Sequence, residues 1–117
     1  MSAGFHHFII EQGATFTKTL TLRDSSNALI DLTGYTTGEM DLRANDESST
    51  EILTLTIANG RIAFGGSNGT ITLTISATDT NNMVATDGVY DLEIGNSAGA
   101  IYRILEGTYS VRRGVSR

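Results

Sequence analysis

The sequence contains no cysteine, no proline and no tryptophan among its 117 residues. Without cysteine the chain has no disulfide framework, no thiolate nucleophile and no cysteine-ligated zinc site. This composition fits synthesis in a reducing cytoplasm. Positive charge is also scarce, because 8 lysine and arginine residues stand against 13 carboxylates and give a net charge of -5. Domains that bind nucleic acid are normally basic, so we expect no nucleic-acid partner.

Long apolar runs are missing as well. No run approaches the roughly 18 residues that a membrane-spanning helix needs, and the first residues lack the basic-then-apolar pattern of a secretory signal. We therefore expect a soluble protein with no membrane partner. The length is near the commonest domain size. It predicts a single domain over residues 1–117, with a short N-terminal segment (1–4) and a basic C-terminal segment (112–117).

Threonine that alternates with aliphatic residues marks most of the segments that we interpret as strands. The segment that organises the chain is residues 88–114. Two apolar runs, 89–94 and 101–105, flank turn residues at 96–99 and predict a β-hairpin. A second turn signal at Glu106-Gly107 leads into Thr108, Tyr109 and Val111. The segment thus predicts up to three consecutive antiparallel strands at the centre of the larger sheet.

The rest of the chain offers further short strands with frequent turn signals. Asn59-Gly60 predicts a type I′ hairpin turn, because both residues tolerate positive φ. Lys18 falls on the apolar face of its segment, so we expect it at the rim, where the ammonium group reaches water. Residues 44–50 are polar and predict a mobile loop. The strand candidates outside the organising segment are residues 5–10, 15–22, 36–43, 51–57, 61–64 and 70–75.

Residues 76–85 break the strand pattern and hold the one helix candidate. Ser76 or Thr78 is expected to cap a single turn that lays Met83 or Val84 over the open end of the fold. With no helix long enough for a βαβ crossover, the pattern predicts an all-β fold. We expect an immunoglobulin-like (Greek-key) β-sandwich of about eight short antiparallel strands. A small barrel is the alternative.

Catalytic and metal chemistry have weak support in the sequence. His6 and His7 are adjacent, so on a strand they point to opposite faces and do not chelate one metal. Residues 79–87 offer oxygen ligands for Ca²⁺ but do not match an EF-hand loop. There is no GxSxG nucleophile motif. We therefore expect neither enzymatic activity nor a cofactor.

Acidic and basic residues have plain structural interpretations. Asp91 and Glu93 share one face of their strand candidate, and Glu39 and Asp41 share one face of another, so all four are expected on solvent-facing surfaces. Arg112, Arg113 and Arg117 form a basic tail. That tail is expected to be solvated or to dock on an acidic neighbour, in preference to touching nucleic acid. With Phe5 and His6, these arginines are the candidate interaction residues.

A series of short motifs lies along residues 8–113. Their positions are Ile10, Gly13 and Phe16; Asp24 and Asn27; Ile30-Asp31-Leu32-Thr33-Gly34; Leu42-Arg43; Gly60 to Ile62; Val89 to Ile94; and Arg103 to Val111. Together these motifs resemble the immunoglobulin-like β-sandwich modules of tailed-bacteriophage virion proteins, such as the N-terminal domain of baseplate upper proteins.

The resemblance implies a structural protein of a tailed-phage virion, made in the host cytoplasm and assembled into the tail or baseplate. Its partners would be other virion proteins, in symmetric multiple copies. Edge strands and termini would make the contacts. Two alternatives stay open: a capsid decoration (cement) protein, and a carbohydrate- or receptor-binding module. An aromatic sugar platform is the less favoured use of the tyrosines, because the chain has no tryptophan.

Overall fold

The computed structural model describes residues 4–45 and 51–113. The segments 1–3 and 114–117 lie outside the described residues, as does most of the predicted loop 44–50. The strands are β1 (Gly4–Glu11), β2 (Phe16–Thr21), β3 (Tyr35–Arg43), β4 (Leu53–Thr56), β5 (Ile62–Phe64), β6 (Thr70–Ile75), β7 (Asp87–Asn96) and β8 (Ile101–Arg112), with a 3-10 turn at Gly66–Asn68 and one helix, α1 (Ala77–Asn81). Strands make up 57% of the described residues, and the all-β class is confirmed.

The strands form two sheets that pack as a sandwich. The larger has the order β1-β8-β7-β3-β4 and the smaller the order β2-β6-β5. The predicted hairpin is β7 and β8, and β7 is the middle strand of the larger sheet, as expected. The prediction that all strands are antiparallel is wrong for one pair: β1 runs parallel to β8. A parallel neighbour cannot be seen in local sequence, because the two strands lie about 100 residues apart.

The core lies between the two sheets and follows from strict alternation in their strands. In β6 every second residue is buried, and the threonines between them are half-exposed. Aromatic rings from β1, β2 and β7 meet at one side of the core, where Phe8 packs edge-on against Phe16 and lies 4.9 Å from Tyr90 between ring centroids. The other fully buried side chains include Ile10, Leu32, Met40, Leu42, Leu55, Ile71, Leu73, Ile75, Leu92 and Ile94.

The predicted hairpin turn at Asn59-Gly60 is wrong. Gly60 has a φ of 79°, but Asn59 lacks the positive φ that a type I′ turn requires. The two flanking strands are not paired, since β4 belongs to the larger sheet and β5 to the smaller. The segment therefore carries the chain across the sandwich.

The predicted turn at Glu106-Gly107 is wrong as well, because β8 continues through both residues for 12 residues in all. The glycine has another purpose there. A Cβ on Gly107 would collide with the backbone carbonyl of His6 on the neighbouring strand. Gly107 thus allows β1 to lie close against β8.

The predicted helical turn is confirmed. The Ser76 hydroxyl accepts a hydrogen bond from the Asp79 N–H at 3.2 Å and caps the start of α1. After the helix, Met83 is buried and Val84 is 74% exposed, so Met83 is the residue that closes this end of the sandwich.

Candidate interaction surfaces

The most distinctive surface is the free edge of β1, the terminal strand of the larger sheet. The Gln12 N–H donates to the Arg112 carbonyl at 3.0 Å, and the His6 carbonyl accepts the Tyr90 hydroxyl at 2.7 Å, so both groups face the interior of the sheet. Strand backbones alternate, which turns the N–H and C=O groups of Phe5, His7 and Ile9 outwards. No strand among the described residues pairs with them.

The side chains along this edge are apolar or aromatic. Phe5 is 73% exposed and Ile9 is 51% exposed, and both lie on the outer face of the sheet. His7 lies between them, with one ring nitrogen 2.6 Å from the Thr108 hydroxyl and the other 3.1 Å from the Ser110 hydroxyl. These two contacts hold the imidazole over β8, so it does not cover the backbone groups of the edge.

The inner side of the same edge opens into a groove between the two sheets. The groove has a volume of about 370 Å³ and is lined by residues from β1, the following turn and β2. The His6 ring packs at a tilt against Phe8, with 4.8 Å between ring centroids, and His6 is half-buried. Lys18 is half-buried at the same groove, which agrees with its predicted place at the rim.

The predicted interaction residues fall at two ends of this edge. Phe5 and His6 lie beside Glu106 and Gly107, whereas Arg112 lies beside Glu11 at the far end of the strand pair. At about 3.3 Å per residue, the two groups are roughly 20 Å apart. They therefore form separate ends of one surface. Arg117 lies outside the described residues.

Arg112 and Arg113 are both exposed. Within residues 4–45 and 51–113 neither arginine forms an ion pair. Two unpaired guanidinium groups beside the end of β1 are able to meet an acidic partner.

The opposite edge of the larger sheet is closed by side chains. The Thr54 carbonyl on β4 accepts from the Asn59 amide and from the Arg61 guanidinium, both at 3.0 Å. The Thr56 N–H donates to the Asn59 side chain at 3.0 Å, and the Thr56 carbonyl accepts from the Arg61 N–H at 3.2 Å. Arg61 is itself held by Asp79 at 2.6 Å, and this contact lowers the pKa of that carboxyl. The outward groups of β4 therefore have partners.

An acidic patch lies on the outer face of the two central strands and is formed by Glu39, Asp41, Asp91 and Glu93. The predicted solvent-facing placement holds, but the register adds what the sequence does not show: Glu39 lies opposite Glu93, and Asp41 lies opposite Asp91. A hydrogen bond to Asp41 and the negative charges around it raise the pKa of Glu39. Arg43 and Arg103 offset part of this charge through ion pairs with Asp41 and Asp91.

A second groove, of about 400 Å³, opens where β4 stops short of the first residues of β3. It is lined by residues 36–39, 56–58 and 93–95 and by Ile101. Threonine hydroxyls and the carboxyl groups of Glu39 and Glu93 contribute to its wall. Neither here nor elsewhere in the described residues is a group of three or more histidine or acidic side chains arranged to hold a metal ion.

Tyr109 lies among apolar neighbours, which predicts a core side chain with its hydroxyl at the surface. The ring is in the core as predicted, but the hydroxyl is buried as well. Its side chain is 1% exposed and its ring covers Gly88 on the neighbouring strand. The hydroxyl has no hydrogen-bond partner in the described part of the protein. Burial raises the pKa of this phenol.

No helix among the described residues is long and apolar enough to cross a bilayer. No protein-family model matches the chain, and no curated protein shows a significant match to it.

Proposed function

We propose that this chain is a non-enzymatic structural protein of a tailed-phage virion, a small building block of the tail or baseplate that docks on neighbouring virion proteins. The observation that carries the proposal is the open edge of β1. A protein that assembles through repeated contacts needs a surface of this kind, with exposed backbone groups and apolar side chains. The exposed Arg112 and Arg113 lie at one end of it.

The motifs of the resemblance support the proposal because their residues have defined structural roles. Asp31 accepts hydrogen bonds from the Thr33 N–H at 2.9 Å and from the Thr33 hydroxyl at 2.7 Å, which closes a turn and lowers the pKa of the Asp31 carboxyl. Gly13, between β1 and β2, has a φ of 80°, and Asn27 has a φ of 67°. Such turn residues are specific to a backbone path, so the motifs report on the fold.

We further infer an immunoglobulin-like topology. The order β8-β7-β3-β4 facing β2-β6-β5 corresponds to strands G-F-C-C′ facing B-E-D of immunoglobulin domains. In that comparison β1 is a first strand that pairs with G. The chain differs from antibody domains in having neither the inter-sheet disulfide nor the core tryptophan.

The proposal is tested on purified virions of the phage that encodes this chain. Mass spectrometry should find the chain in stoichiometric amount, and cryo-electron microscopy should show a domain of about 42 × 29 × 26 Å in the tail or baseplate. If the density lay on the capsid lattice, the chain would be a capsid decoration protein and not a tail protein. Absence from the particle would refute the structural role.

A carbohydrate-binding role is the second candidate, and the groove beside Glu39 and Glu93 favours it. Carboxylate and hydroxyl groups are suitable partners for sugar hydroxyls, and Ile101 gives the groove an apolar wall. Screening the protein against immobilised glycans tests this role. Saturable binding that Glu93→Ala abolishes would support it, and absence of binding would leave the assembly role as the better proposal.

A further inference from the structure

We propose that the β1 edge pairs with the β1 edge of a second copy of this chain, antiparallel and around a two-fold axis at His7. The pairing would join two five-stranded sheets into one continuous sheet of ten strands. This pairing is independent of the proposed role in a virion.

β1 differs from the other three terminal strands in having an unprotected edge. Natural sheets protect their edges with covering side chains, short strands or charges that point inwards. β4 is covered by Asn59 and Arg61, β5 has 3 residues, and β2 carries Lys18 on its inward side. β1 is 8 residues long, and from Gly4 to Ile10 it has no acidic or basic residue other than histidine. Of the edges in the described ranges, it is the one left open.

The outward-facing residues of β1 are complementary to themselves around a two-fold axis. In an antiparallel pair centred on His7, residue 5 of one copy lies opposite residue 9 of the other. The exposed Phe5 then covers the exposed Ile9 of the second copy, and the same contact is repeated by symmetry. An aromatic residue opposite a β-branched one is a favourable cross-strand pair. Centring the pair one residue later, on Phe8, would instead set Phe5 against the Glu11 carboxylate.

Charge also favours a second copy in this register. Each copy has a net charge of -5, so two copies repel unless their contact avoids the acidic surfaces. The β1 edge lies at one end of the larger sheet, and β8 separates it from β7, the nearest strand of the acidic patch, which carries Asp91 and Glu93. The paired residues 5, 7 and 9 place no formal charge opposite a like charge.

The buried area sets the strength of the pairing. Given their exposed fractions, Phe5 and Ile9 would bury on the order of 500 Å² of side chain over both copies, below the roughly 1,200–2,000 Å² of a stable interface. An interface of this size places the contact among weak associations, so we expect a reversible dimer and not a permanent one. In an assembly of many copies the same contact is strengthened by multivalency.

Sedimentation equilibrium of the full chain over a wide concentration range is the first test. A reversible monomer–dimer equilibrium is expected. Ile9→Lys should weaken it at least tenfold, because lysine is a residue that natural sheets use to block edges. Ile101→Lys is the matched control: Ile101 is 67% exposed on a different strand, and its replacement should leave the equilibrium unchanged. A chain that stays monomeric, or a dimer that Ile9→Lys does not affect, would overturn the proposal.

Single cysteines test the register directly, because the native chain has none. Around the two-fold axis the two residues 7 are about 5.5 Å apart between Cα atoms, which is within disulfide range. The two residues 5 are four positions out of register and about 14 Å apart, beyond that range. His7→Cys should form a disulfide-linked dimer under mild oxidation, and Phe5→Cys should not. Linking of Phe5→Cys as readily as His7→Cys, or of neither, would refute the two-fold pairing; circular dichroism of each variant verifies the fold.

Discussion

Tyr90 and Tyr109 are both buried on the inner face of the larger sheet, but their hydroxyl groups differ. The Tyr90 hydroxyl donates to the His6 carbonyl at 2.7 Å, whereas the Tyr109 hydroxyl has no partner in residues 4–45 and 51–113. Replacing each tyrosine with phenylalanine removes one oxygen and leaves the ring in place. The two variants therefore compare a satisfied buried hydroxyl with an unsatisfied one.

Tyr90→Phe is expected to destabilise the protein, and Tyr109→Phe is not. Tyr90→Phe removes a buried hydrogen bond and should lower the free energy of unfolding by about 1 kcal/mol. Tyr109→Phe removes no hydrogen bond and relieves the cost of burying an unpaired hydroxyl, which is roughly 1–3 kcal/mol. Tyr109→Phe should therefore be neutral or more stable than the native protein. At this chain length, a change of 1 kcal/mol corresponds to about 4 °C in Tm.

Urea unfolding at neutral pH, with a common m-value for the three proteins, measures both changes. A loss in Tyr109→Phe as large as that in Tyr90→Phe would show that the Tyr109 hydroxyl has a partner and would refute the argument. The pH dependence gives a second check. Burial raises the pKa of both phenols, so the unfolded chain ionises first and stability should fall as the pH rises above about 10. Each substitution should make that fall shallower.

Three further predictions concern a close approach, a like-charge cluster and a buried hydroxyl. Gly107→Ala should destabilise the fold by about 2 kcal/mol or more in urea unfolding, because its Cβ would meet the His6 carbonyl; Gly34→Ala, which opens onto free space without positive φ, is the control and should be nearly neutral. Glu39→Gln should raise Tm at pH 7. Because the pKa of Glu39 is raised in the fold, ionisation of this carboxyl lowers the stability of the native protein as the pH rises through that pKa. The increase in Tm from Glu39→Gln should therefore vanish below about pH 4, where the carboxyl is protonated. Thr80→Val should lower the free energy of unfolding by about 1–3 kcal/mol. The fully buried Thr80 hydroxyl joins α1 to the turn before β2: it accepts a hydrogen bond from the Gly13 N–H at 3.1 Å and donates one to the Ala14 carbonyl at 2.8 Å. Unchanged unfolding curves for Gly107→Ala and Thr80→Val, or a Glu39→Gln gain that persists at acid pH, would contradict these assignments.

Much of the fold could be predicted because its signals are local. The alternation in residues 70–75 depends only on neighbours, and β6 forms there with every second residue buried. The Ser76 cap needs only the next three residues, and it forms as predicted. Local patterns of this kind identify strands, turns and faces.

The wrong predictions concern partners that are distant in sequence. Asn59-Gly60 has the composition of a hairpin turn, but β4 and β5 find different sheets, and Asn59 binds the backbone of β4 instead. Glu106-Gly107 predicts a turn because glycine is common in turns, whereas in the fold Gly107 makes room for β1, a strand about 100 residues earlier. Neither the sheet that β4 and β5 each join nor the approach of β1 to Gly107 can be predicted from the residues next to it in sequence. The opposition of Glu39 and Glu93 has the same origin, since it depends on the register between β3 and β7.

The sequence also identifies only part of the candidate interaction surface, because whether a strand lies at the edge of a sheet depends on residues distant in sequence. Composition marks Phe5 and His6 as part of an apolar strand, and the structure shows that this strand is terminal and uncovered. An uncharged, proline-free segment is ordinary in the middle of a sheet, where both neighbours satisfy its backbone. At an edge the same segment is a hazard for uncontrolled association, which selection normally removes with charge, proline or short length. Its presence at β1, in a protein that closes β4 with two side chains, argues that the open edge has a use.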